Sequence, residues 1–191
     1  LRSVATIQGL GCPVVMLRLI VPLLALCLFF ATAIPGQAQA EKAPSINAQL
    51  VAYYGSAQNY RKVRRDVLKW HKTTTNGCVA FASTALRQIG YEVPIAAKRD
   101  GWAVSRITFA FSDYLEEAGW TRIATFEKLV PGDLAFTTGY PDHVFVFHSW
   151  ANTQRHIARV LDNKGYLKRR LLSTKNRGDI SGFAYGLRAP R

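Results

Sequence analysis

Residues 143–163 read HVFVFHSWANTQRHIARVLDN. Val144 and Val146 alternate with Phe145 and Phe147, and after a polar stretch the apolar run resumes from Ile157 to Leu161. Successive side chains of a strand turn to opposite faces, so two such runs around a short polar connection predict a β-hairpin. The same pattern recurs on either side. Leu134-Ala135-Phe136 follows the turn Pro131-Gly132-Asp133, and Tyr166 to Leu172 follows Gly165. Gly182 to Arg188 alternates Phe183, Tyr185 and Leu187, and Trp120 to Ile123 is a further short strand.

Upstream the periodicity changes. From Ala48 to Lys72 apolar residues recur three and four apart, with Gly55 and Ser56 dividing the run into two helices. Val79, Ala82, Leu86 and Ile89 share one face of a third helix that begins near Cys78, with Thr75 or Asn76 as the expected cap and Gly90 as the stop. Residues 91–104 carry Pro94 and Gly101 and read as loop. Ser105 is expected to cap a fourth helix that turns Ile107, Phe111, Tyr114, Leu115 and Ala118 inward and ends at Gly119. Helices first and consecutive strands after them predict an α+β domain with an antiparallel sheet, since a βαβ fold would alternate the two.

The whole chain of 191 residues is 49% hydrophobic and 19% charged, which excludes a disordered polymer. The single methionine, Met16, is followed by Arg18, an apolar run from Leu19 to Ile34, and Ala38-Gln39-Ala40. A basic start, an apolar centre and an A-x-A ending predict a secretory signal peptide cleaved after Ala40, with residues 1–15 an over-extended start. The expected product, residues 41–191, is a single secreted or periplasmic domain. It has no stable membrane insertion after cleavage, because the apolar run falls short of the ~20 residues of a span. Cys12 and Cys27 leave with the leader, and so do Arg2 and Arg18, which lowers the formal charge from +13 to +11.

Cys78 is then the only thiol, at a helix start where the dipole and free N–H groups favour a thiolate. A cysteine hydrolase also needs a base and a group that orients the base. Of the four histidines, His71 reads as a solvated surface residue and His156 as a turn residue beside Arg155. His143 and His148 lie five apart in one strand, so alternation turns only one of them to the cysteine helix, and the strand-start position favours His143. The antiparallel return strand brings its C-terminal Asp162 and Asn163 back toward His143, and either side chain can fix the imidazole tautomer.

The ordered set Asn-Gly-Cys-Val-Ala-Phe at 76–81, Val-Pro-Gly-Asp-Leu-Ala-Phe at 130–136 and Asp-His-Val-Phe-Val-Phe at 142–147 resembles the papain-like bacterial cell-wall hydrolases of the CHAP and NlpC types. The resemblance covers roughly residues 70–165. It implies a papain-like fold, Cys78 as nucleophile, His143 as base and Asp162 as the third polar residue, with Asn163 as its rival and His156 as the NlpC-type alternative. It implies that Asp133 is structural. The Cys78 N–H and Asn76 are the expected oxyanion donors. No cofactor is expected, and a single cysteine with scattered histidines has no zinc-type spacing.

Basic residues cluster at Arg61, Lys62, Arg64, Arg65, Lys69 and Lys72, and again at Lys168-Arg169-Arg170. Export and the lack of a binding motif disfavour nucleic acid, so peptidoglycan or its peptides is the expected partner of a monomeric enzyme. Trp102, Trp120 and Trp150 are candidates to line a sugar or peptide groove. The alternatives are a non-catalytic wall-binding domain on the same fold, and an exported cysteine hydrolase, a toxin or effector, with a substrate other than peptidoglycan.

Overall fold

Ser45 caps α1 (Ile46–Tyr54) and Ser56 caps α2 (Ala57–His71), each hydroxyl accepting from a first-turn N–H, at 3.2 and 3.5 Å. The computed structural model describes residues 43–139, 143–178 and 180–191. The expected leader, residues 1–40, and the turn residues Tyr140, Pro141 and Asp142 lie outside them.

The third helix, α3 (Cys78–Gln88), is buried on every residue from Cys78 to Leu86. Such a helix must be enclosed on all sides. Val63 and Val67 of α2 belong to the core that covers it from one side, and Val144 and Val146 to the core on the other. Residues 98–103, expected as loop, fold into a two-residue hairpin, β1 (Lys98–Arg99) and β2 (Trp102–Ala103). Gly101 makes this turn at φ +83°. The fourth helix, α4 (Thr108–Glu117), starts three residues after Ser105. The Ser105 hydroxyl donates instead to the Ile95 carbonyl at 2.9 Å, closing the loop, so Ser105 is no cap.

The remaining strands are β3 (Thr121–Ile123), β4 (Leu134–Thr137), β5 (Val144–Asn152), β6 (Ile157–Asp162), β7 (Gly165–Leu171) and β8 (Phe183–Arg188). They form one antiparallel six-stranded sheet in the order β3-β8-β4-β5-β6-β7. The described residues therefore make an α+β fold of four helices and a six-stranded antiparallel sheet, as expected from the order of the periodicities. Val144, Val146 and Leu161 face the helices. Phe145, Phe147, Val160 and Phe183 form a second apolar cluster on the other face, with Phe126 over it.

Asp133 joins three distant parts of the chain. It is fully buried and accepts from the Asn47 amide of α1 at 2.9 Å and from the Val130 N–H at 2.8 Å. Arg188 of β8 donates to both its oxygens, at 3.0 and 2.7 Å. A bidentate guanidinium with two further donors satisfies a carboxylate that burial would otherwise penalise. The preceding Gly132 has φ +92°, and a Cβ there would lie 2.1 Å from the Asn47 carbonyl oxygen, so no other residue fits.

Candidate active site

Cys78 opens α3 from the loop 72–77. Asn76 takes a left-handed conformation at φ 52°, Gly77 is the N-cap, and no side chain caps the helix. Neither Thr75 nor Asn76 therefore has the capping role expected of it. The first-turn N–H groups stay available to whatever sits at the helix start. The Cys78 thiol is 7% exposed at the floor of a cleft of about 620 Å³. That volume suits a small ligand or a segment of a larger one.

His143 comes from the other side, one residue before β5 begins. Its backbone N–H donates to the Thr137 hydroxyl at 3.0 Å and its carbonyl accepts from the Thr137 N–H at 3.0 Å, which pins it to the end of β4. Strand alternation turns Val144 and Val146 to the helices, and His148, two further along, approaches Gly55 between α1 and α2. Parity thus sends His148 toward the helices at the far end of the strand. His143 reaches Cys78 because it stands outside the ladder, where the pleat no longer dictates direction.

The imidazole Nε2 lies 2.8 Å from Asp162 Oδ2, at the end of β6. The other oxygen of Asp162 accepts from the N–H groups of Lys164 and Gly165 at 2.8 and 3.0 Å. A carboxylate so placed only accepts, so Nε2 carries the proton and Nδ1 is left for the thiol. Tyr60 of α2 anchors the same turn by donating to the Asp162 carbonyl at 2.9 Å.

The three groups shift one another. Burial pushes the Cys78 thiol up, but the His143 imidazole and the N–H groups of Val144 and Val79 outweigh it, and the thiol ends below its ordinary range. Burial pushes His143 down, yet Asp162 and Cys78 together hold it above its ordinary value. Burial likewise raises Asp162, but His143 and the Lys164 and Gly165 amides bring its net shift downward. All three directions favour a thiolate, an imidazolium and a carboxylate in line.

The other expected site residues fall elsewhere. Asn163 uses its amide to donate to the Thr74 carbonyl at 2.9 Å, so it braces the loop that carries Cys78 and does not hold the imidazole. His156 packs edge-on against Phe126, 5.0 Å between centroids, on the face of the sheet away from the helices. Asn76 is exposed and lines the cleft, within reach of a ligand lying on Cys78. His71 is not a solvated surface residue: its ring nitrogens are buried, and burial and then Arg106 disfavour its charged form. Of the three tryptophans, Trp120 is buried and Trp150 packs on Phe147. Only Trp102 stands near the cleft, edge-on to the cleft residue Phe109 at 5.6 Å.

Several cleft residues had no signal in the sequence, among them Arg106, just before α4, Phe109, in its first turn, and Lys164, in the β6–β7 turn. No local pattern distinguishes such residues from surface, because their place depends on where two distant segments meet. No family model matches this chain, and no curated protein or solved structure matches it either.

Proposed function

We propose that this chain is an exported cysteine hydrolase of papain-like fold that cleaves an amide bond in peptidoglycan peptides. The observation that carries the reading is the relay from a thiol on the first residue of a helix through His143 to a buried carboxylate, open to a ligand-sized cleft. The leader-like residues 16–40 and the basic composition support export to an envelope rich in anionic groups.

In this reading the Cys78 thiolate attacks the amide carbonyl carbon. The oxyanion that forms is met by the Cys78 N–H and, from the loop, by Asn76. The His143 imidazolium gives its Nδ1 proton to the leaving amine nitrogen, and the carbon–nitrogen bond breaks to leave a thioester on Cys78. His143, now neutral, takes a proton from water, whose oxygen attacks the thioester and releases a carboxylate and the free thiol. Asp162 keeps the proton on Nε2 throughout and stabilises each imidazolium.

Purified sacculi test the reading. The protein should release soluble peptide fragments, Cys78→Ala should release none, and iodoacetamide should alkylate Cys78 near neutral pH faster than a free model thiol. A Cys78→Ala variant as active as the parent, or a thiol no more reactive than the model compound, sinks it. Mass spectrometry of the fragments then identifies the bond. Activity on other amides with sacculi left intact would favour the toxin or effector alternative.

A further inference from the structure

Both basic clusters of the sequence keep unpaired cations, but only one adjoins the cleft. On α2, Lys62 and Lys69 bind Asp66, at 3.3 and 2.9 Å, while Arg61, Arg64, Arg65 and Lys72 are exposed and make no ion pair among the described residues. On β6, the edge strand β7 and the turns around them, Arg155, Arg159, Lys164, Lys168, Arg169 and Arg177 are exposed and make no ion pair among the described residues. Arg159 and Arg169 stand directly opposite each other across the β6–β7 ladder. Like charges in that position destabilise a sheet. Arg170 turns inward, over the Phe145 ring at 5.0 Å, and donates to the Ser181 carbonyl at 3.2 Å.

All of these cations but Arg159 line a series of adjoining hollows. Lys164 belongs both to the cysteine cleft and to a hollow that holds Lys168, Arg169 and Arg170. Arg169 belongs also to the next hollow, with Arg155 and Arg177. Arg106 stands in the cleft itself. A chain lying in the cleft can therefore pass from one hollow to the next without leaving positive surface.

We propose that the cleft is the reactive end of a basic track, and that the substrate is a linear anionic polymer that runs from the scissile amide along the β7 edge toward Arg155 and Arg177. The placing of an amide at the reactive end rests on the reading of Cys78 as nucleophile; the track does not. The charged groups of the polymer are carboxylates spaced along its length, as on the peptides of the proposed substrate, which the planar forks of Arg169, Arg155 and Arg177 suit. A nucleic acid is the less favoured occupant. Base stacking needs free aromatic faces spaced along the path; the exposed aromatics beside it are engaged, Trp102 and Phe109 edge-on to each other at the cleft and Tyr166 of β7 with the Gly55 carbonyl and the Tyr60 ring. A strand the length of β7 spans roughly 23 Å at about 3.3 Å per residue. The track thus fits an extended chain of about seven residues.

Fluorescent oligoglutamates of increasing length, inorganic polyphosphate of matched charge and oligothymidylate are the probes, bound to the Cys78→Ala protein. Affinity for the preferred probe should climb with length and level off near a chain that spans about seven residues of strand. Arg169→Glu and Arg177→Glu should each weaken binding at least about tenfold and flatten its salt dependence, while Arg64→Glu on α2 should leave both unchanged. In the parent protein, a long probe should protect Cys78 from iodoacetamide, and a dimer of the same repeat should not. Oligoglutamate should bind tighter than polyphosphate of matched charge, and the reverse order would overturn the carboxylate polymer as occupant. The proposal falls if affinity ignores length, if Arg64→Glu costs as much as Arg169→Glu, if binding leaves Cys78 unprotected, or if oligothymidylate binds about tenfold tighter than either probe. None of these readings needs turnover, so a protein that binds and protects but never cuts sacculi would overturn the hydrolase reading alone.

Discussion

Two buried aspartates flank turns of this sheet, and they are held in opposite ways. Asp133, fully buried, is saturated: a bidentate Arg188, the Asn47 amide and the Val130 N–H occupy both its oxygens. Asp162, 2% exposed, spends one oxygen on the turn N–H groups of Lys164 and Gly165 and keeps the other for a histidine that lies beside a thiol. The first carboxylate has a permanent cation and no route to a ligand. The second has a partner whose charge can change. Burial alone therefore does not separate a structural carboxylate from a functional one. What separates them is whether the partner titrates.

The comparison can be broken most sharply at Asp162. Asp162→Asn keeps the size of the side chain but no longer holds the proton on Nε2, and hydrolysis should fall by about three orders of magnitude with the fold intact. An equal loss of thermal stability would make Asp162 as structural as its counterpart. Asp133→Ala should behave in reverse. It leaves Arg188, the Asn47 amide and the Val130 N–H without their acceptor, a loss of about 3 kcal/mol, which lowers the melting temperature by on the order of 10 °C. Assayed well below that melting point, its turnover should match the parent.

The pH profile sharpens the contrast further. The lowered Cys78 pKa and the raised His143 pKa bring the two titrations toward each other and favour the thiolate–imidazolium form of the pair. Activity should fall as acid adds a proton to the pair and again as alkali removes its proton. Asp162→Asn removes a cause that raises His143, so the alkaline limb should move to lower pH, whereas Asp133→Ala should move neither limb. His143→Ala leaves burial as the largest influence on the thiol, so the alkylation profile of Cys78 should shift to higher pH, measured as rate against pH. The smallest effect is expected at Asn163. Asn163→Ala loses one hydrogen bond to the Thr74 carbonyl, about 1 kcal/mol, and loosens the cysteine loop without touching the imidazole. A collapse of activity comparable with that of Asp162→Asn would reinstate Asn163 as the orienting group.

Much of the fold is legible because local periodicity reports burial. The alternation of Val144 to Phe147 and the apolar face of Val79, Ala82 and Leu86 mark a strand and a helix in any context that buries one side. Caps are less legible. Ser105 has the right residue type before a helix, but residues 98–103 fold back as a hairpin and the hydroxyl closes that loop on Ile95. Nor is the order of neighbours legible. Asp162 and Asn163 are equally good partners for an imidazole, and the turn that follows sends one to His143 and the other to Thr74. Strand parity even points the wrong way for the histidines, since it presumes that His143 lies within the ladder.

The sequence by itself determined the order of helices and strands, the antiparallel hairpin that returns Asp162 toward His143, and the placing of Cys78 at a helix start. These follow from side-chain spacing along one chain, which needs no knowledge of distant neighbours. Only the tertiary structure decided which carboxylate meets the imidazole, that Asn163 braces the cysteine loop, and that Arg106 and Lys164 share the cleft with the thiol. Those are contacts between segments far apart in the chain. They depend on how α3 comes to rest against β5 and β6 and how the start of α4 reaches the cleft, and backbone spacing carries no record of that.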